Sequence, residues 1–170
     1  VKPQQSWGTG VHTASRPCPP DVTMEVYEGI GKLPFFNQDV EGQQPPNEVF
    51  DCRSRLAAAD AVLIVSPEYA HGRSGVLKNA LEQVVGGGEL VGKPVAAVTA
   101  SPSMTGGDRT QAWVKETLEV VGALILPERL PIPCASAKIS DGRVTDESTL
   151  ADLRKVVEAM ARAAKELNET

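Results

Sequence analysis

AVLIVSPEYAHGRSGVLKNALEQVV, residues 61 to 85, decides the fold. Ala61 to Val65 form an apolar run bounded by Asp60 and by Ser66-Pro67, the pattern of a buried strand. Gly75 to Val85 read as a helix with Val76, Leu77, Ala80, Leu81, Val84 and Val85 on one face. The intervening loop contains Pro67, Gly72 and Gly75. A loop at the carboxyl end of a strand is where open α/β sheets hold flat ligands.

Working outward, the same alternation of strand and helix recurs. Upstream, Val22, Met24 and Val26 alternate with polar neighbours and predict a strand, which Gly29, Gly31 and Pro34 end. A loop runs through Pro45-Pro46. Asn47 is read as the N-cap, with Val49, Phe50, Arg53, Leu56 and Ala57 following on a helix. Downstream, Gly86-Gly87-Gly88 reads as a C-cap and turn. Val95–Thr99 reads as a strand, and Gln111–Val121 as a helix with Trp113, Leu118 and Val121 inward. Leu124–Leu126 is read as a short strand before a Pro-broken stretch. Leu150, Leu153, Val156, Val157, Met160, Ala164 and Leu167 mark a long amphipathic closing helix. The expected fold is α/β: one doubly wound parallel sheet in three α/β/α layers.

These segments carry a resemblance. SPEYAHG with GVLKNAL is similar to the flavin-contacting loop and helix of the NADPH-dependent FMN reductases, a flavodoxin-like family. EVYEGIGKLPFFNQD (25 to 39) resembles that family's second strand and following segment, and GKPVAAVTASPS (92 to 103) its fourth strand and second flavin loop. The likeness runs from about Asp21 to Pro131. It implies that Pro67, Glu68, Tyr69, Ala70, His71 and Gly72 line the FMN ring through main-chain contacts. Ala100, Ser101 and Pro102 would approach from the neighbouring strand end, with Gly106-Gly107 keeping that loop adaptable. Arg73, beside the slot, would meet the 2′-phosphate of NADPH. His71 is a possible hydrogen-bonding partner of flavin or substrate.

The activity so implied is hydride transfer from NADPH or NADH to FMN, and then to a quinone, free flavin, azo compound or metal oxyanion. The cofactor supplies the chemistry, so no catalytic acid, base or nucleophile is assigned. Family members are usually dimers or tetramers, which makes a homodimer or homotetramer the expectation. Two other readings remain: an electron carrier that does not oxidise the nucleotide, and a degenerate module that no longer holds FMN.

The resemblance has departures. Many relatives carry Asn where this chain has Ala70, and Pro where it has Ser74; an acidic-Trp pair is Glu82-Gln83 here. Relatives begin with an apolar strand and a Gly/Ser/Arg loop that cradles the phosphate. Residues 1 to 20 contain neither, and read as an irregular leader before a flavin-binding domain of residues 21 to 170. Gly8, Thr9, Gly10, Thr13 and Ser15 are the candidate substitutes for that cradle. In the flavodoxin-like order the first strand lies between the second and third, so the first strand is expected to be missing or altered.

Composition agrees with this class. A chain of 170 residues that is 41% apolar suits one core. A net charge of −5, without any Lys or Arg block, argues against nucleic acid or an anionic membrane as partner. Cys18, Cys52 and Cys134 stand in no metal spacing, and His12 and His71 are the only histidines. No apolar signal core opens the chain, and the expected location is the cytoplasm.

Overall fold

The computed structural model describes residues 18–41 and 44–169. The central sheet contains β1 (Val62–Tyr69), β2 (Gly72–Arg73), β3 (Pro94–Ala100), β4 (Leu124–Ile125) and β5 (Leu130–Ile132). β1 and β3 run parallel in register from Val62↔Val95 to Pro67↔Ala100. β4 and β5 lie one after the other along the far edge of β3, also parallel. β2 turns back antiparallel on the end of β1. Four helices complete the frame: α1 (Asn47–Ala58), α2 (Gly75–Val85), α3 (Asp108–Val120) and α4 (Glu147–Asn168).

Alternation along the strands sorts the core into two layers. Ile64, Val95 and Ala97 face α2 and α3, meeting Leu77, Leu81, Val84, Val114 and Leu118. Ala96, Val98 and Ala100 face α4, meeting Leu153, Val156 and Met160. All seven residues of β3 are buried, as a strand covered on both faces requires. Asp146 caps α4, its carboxylate accepting the Thr149 N–H at 2.8 Å. The fold is flavodoxin-like α/β.

Several expectations need correction. Val22–Val26 is not a strand, although the predicted alternation survives in burial: Val22, Met24 and Val26 are half-buried and Thr23 and Glu25 exposed. An extended segment becomes a strand only with a ladder partner, and among the described residues this one has none. Among the described residues, the outer edge of β1 carries only β2, at Glu68 and Tyr69.

In α1 the first helical residue is Asn47 itself, with Pro46 at the cap position and its carbonyl accepting from Val49 and Phe50 at 3.0 Å. Phe50 (64% exposed) and Ala57 face solvent, and Cys52 takes the buried position beside Val49 and Leu33. In α2, Val76 and Val85 are exposed while Asn79 and Gln83 are buried. Their amides explain the inversion. Asn79 Oδ1 accepts the Phe36 N–H at 2.9 Å, and Asn79 Nδ2 and Gln83 Nε2 donate to the Pro34 carbonyl at 2.9 and 2.8 Å. The Leu33–Phe36 segment is pinned to α2 through these bonds. Gly86 stays right-handed, and Gly88 (φ +75°) makes the reversal.

The Pro-broken stretch after Leu126 contains β5, a strand the periodicity does not reveal. Pro127 to Arg129 interrupt the edge, and Gln111 of α3 fills the gap, its Nε2 donating to the Ala97 carbonyl at 3.0 Å. A hairpin of β6 (Ile139–Ser140) and β7 (Arg143–Val144) then leads into α4.

Candidate functional site

The two segments singled out by sequence stand side by side. Pro67 and Ala100 are direct ladder partners, so Pro67–Gly72 and Ala100–Pro102 leave the sheet from adjacent strand ends. Their local forms differ from the expected loops. β1 does not stop at Val65 but continues to Tyr69, and Ala70-His71 turn the chain straight into β2.

Both turn residues are left-handed, at φ +48° and +60°, the form of a two-residue type I′ hairpin. Such a turn favours Asn and Gly, and a left-handed Ala costs about 1–2 kcal/mol. Strain of this kind concentrates at binding sites. Among the described residues nothing accepts the main-chain N–H of Ala70 or His71. Tyr69, Ala70 and His71 are exposed and form one lip.

The second segment forms the other. Ala100 is buried, and the main chain of Ser101 is fully engaged: its N–H donates to the Ile132 carbonyl at 3.2 Å and its carbonyl accepts from Ala135 at 2.9 Å. Ser101 Oγ lies 2.9 Å from Ser103 Oγ, which is 3.0 Å from Thr105 Oγ1. The exposed part is therefore Pro102 to Thr105, with Met104 81% exposed. Met104 and Thr105 lie beyond the segment that sequence reasoning singled out; the Ser-Pro-Ser-Met-Thr run between a strand and two glycines is the signal that points to them.

Gly106 and Gly107 are not a source of adaptability. Both are left-handed, and a Cβ on Gly106 would meet the Pro133 nitrogen at 2.8 Å. The Gly106 carbonyl accepts from Thr99 Oγ1 at 2.8 Å, which fixes the turn further. Gly75 shows the reverse, with nothing within 4 Å of an added Cβ, so close approach does not explain it.

Glu68 turns inward beneath these lips. Its side chain is 4% exposed, Oε2 accepts the Thr110 N–H at 3.0 Å, and Oε1 lies 3.8 Å from His71 Nδ1. Arg73 is exposed, with its guanidinium over the Trp113 ring at 4.3 Å from the centroid. Gly8, Thr9, Gly10, Thr13 and Ser15 lie outside the described residues.

Known proteins share this architecture. The family model for NADPH-dependent FMN reductase matches residues 11–137. A quinone reductase of Pseudomonas putida is 32% identical over 136 residues, covering 77% of this chain and 73% of that protein. An NAD(P)H-dependent FMN reductase of Pseudomonas aeruginosa is 32% identical over 146 residues, covering 84% and 78%. Among solved structures, the flavoenzyme NAD(P)H:(acceptor) oxidoreductase of Paracoccus denitrificans superposes with a TM-score of 0.80 at 27% identity, covering 98% of this chain and 93% of that one.

The family match and the curated relatives, on a flavodoxin-like sheet, make the class a flavin-dependent oxidoreductase. The chain belongs to the NADPH-dependent FMN reductase family, with FMN as cofactor and a pyridine nucleotide as co-substrate. That membership favours the reductase over the electron carrier and the FMN-free module.

Proposed function

We propose that the chain reduces small-molecule acceptors, quinones first among them, with its FMN ring between the Pro67–Gly72 hairpin and the Ala100–Pro102 segment. The observation that carries this reading is the Pro67↔Ala100 pairing, which sets the two segments against each other. The donor set fits the ring: the pyrimidine edge presents acceptors, and among the described residues the main-chain N–H groups of Ala70 and His71 have no acceptor. FMN supplies the hydride chemistry when bound. The protein's part is to orient the ring edge through the hairpin main chain and to leave one face open above Tyr69 and Met104. Nucleotide and acceptor would then use that face in turn. The quinone reductase from Pseudomonas putida supports the acceptor class.

Purified protein titrated with FMN, followed by NADPH oxidation with a benzoquinone, tests the reading. A yellow protein with parallel double-reciprocal plots is expected; a colourless protein that stays inactive with excess FMN would overturn it.

The finer assignments belong to the same proposal. Arg73 is assigned to the nucleotide, since it stays exposed beside the hairpin while Trp113 holds its guanidinium. Residues 21 to 170 are taken as one flavin-binding unit, acting in the cytoplasm as a homodimer or homotetramer. Among the described residues no helix is long and apolar enough to cross a membrane. An open groove of about 290 Å³ between α2 and α3, lined by Leu81, Val85, Trp113 and Val120, is the face assigned to the second copy. Val85 and Val120 of this lining are exposed. Light scattering of wild type and Val120→Glu tests this, with a fall in mass expected of the variant.

A further inference from the structure

We propose that Glu68 is a positioning residue of the flavin site, holding the hairpin lip and the Pro102–Thr105 lip at a fixed separation. The proposal rests on the FMN reading above. Helix α3 begins directly after the second lip, and its N-cap position is Gly107, which has no side chain to accept the free N–H groups of the first turn. A capping Ser or Asp has no room there: a Cβ on Gly107 would stand 3.0 Å from Thr99 Cβ and Oγ1, in a backbone already at φ +92°. The cap comes instead from another strand.

Glu68 occupies the last inward position of β1, after Ile64 and Ser66. A buried carboxylate needs donors, and a helix N-terminus offers them. Glu68 Oε2 takes the Thr110 N–H at 3.0 Å, while Oε1 faces His71 Nδ1 at 3.8 Å. One side chain therefore spans from the hairpin tip to the start of the helix that anchors the opposite lip. Beside this link, the hairpin is tied to the second lip and its helix by the Pro67↔Ala100 rung beneath and by Arg73 over Trp113.

Two variants separate reach from charge. Glu68→Gln keeps the length and an acceptor oxygen; Glu68→Asp keeps the charge but falls one methylene short of Thr110. Apoprotein of the full chain is titrated with FMN by fluorescence quenching, and its unfolding midpoint is recorded without ligand. Glu68→Asp is expected to bind FMN about tenfold more weakly, with Glu68→Gln within about threefold of wild type, in line with the loss and retention of a helix cap. Wild-type affinity in Glu68→Asp, or equal weakening in both variants, overturns the proposal. So does a lowered midpoint with unchanged affinity, which is what a purely structural role predicts. If wild-type apoprotein takes up no FMN, the flavin reading fails on its own. The Thr110 amide then tests the brace without ligand: slow exchange in wild type and Glu68→Gln with fast exchange in Glu68→Asp supports it, and equal exchange in all three ends it.

Discussion

The Arg73 guanidinium lies over the Trp113 ring, 4.3 Å from its centroid, and so ties the strand after the hairpin to helix α3. A double-mutant cycle of Arg73→Ala and Trp113→Leu in urea is expected to give a coupling of about 0.5–1 kcal/mol. Arg73→Glu separately tests the nucleotide role: KM for NADPH should rise far more than KM for NADH. Equal changes would leave Arg73 with the stack alone.

Ala70 is a left-handed residue with a Cβ, where Asn or Gly fits better. Ala70→Asn is expected to raise unfolding stability by roughly 0.5–1 kcal/mol, read from the urea midpoint at constant slope. No gain would mean that the hairpin relaxes out of the left-handed form in solution.

Asn79 joins α2 to the Leu33–Phe36 segment through the Phe36 N–H and the Pro34 carbonyl. Asn79→Leu removes the partner of the part-buried Phe36 N–H, while the Pro34 carbonyl keeps its bond from Gln83. A loss of about 1–3 kcal/mol is expected in chemical denaturation.

The glycines sort by space. Gly106→Ala must force a left-handed Ala against the Ile132–Pro133 backbone, and a loss of about 2 kcal/mol or more is expected. Gly75→Ala opens a helix with nothing within 4 Å, and should be neutral or stabilising by up to about 1 kcal/mol. Thermal melts of the two variants against wild type check the contrast.

Asp146 supplies a pH dependence. The hydroxyls of Ser148 and Thr149, with the Thr149 N–H, hold its carboxyl down from the ordinary 3.8 to about 2. A folded-state value below the unfolded one stabilises the protein above about pH 4, and that contribution is lost as pH falls toward 2. Asp146→Asn, which cannot titrate, should flatten the stability profile across this window in acid titrations followed by circular dichroism.

Apolar periodicity and unbroken apolar runs reveal the elements that build the core: β1, β3, α2, α3 and α4 are all legible within a few residues. They fail where burial is decided by hydrogen bonds. Asn79 and Gln83 look like surface positions but are buried because their amides serve another segment. β5 was hidden by its prolines, since Pro131 breaks the expected pattern yet sits in register with Thr99. The reverse error occurred at Val22–Val26, where the pattern of a strand was present without a partner. In the site, the motif indicated which segments meet, but not that Ser101 spends its hydrogen bonds inside the protein. It also did not reveal the partner of Glu68, because a contact between residues 42 positions apart leaves no local trace.

β3 is enclosed on every side, and its last residue underlies both lips. Opening a gap for a planar guest therefore falls to the two tips, Ala70-His71 and Pro102 to Thr105, while the floor beneath them stays rigid. On the proposed reading, side-chain variation at those tips can retune which acceptors enter while the hairpin main chain keeps its course. A chain built in this way has room to trade one oxidant for another while keeping the same frame.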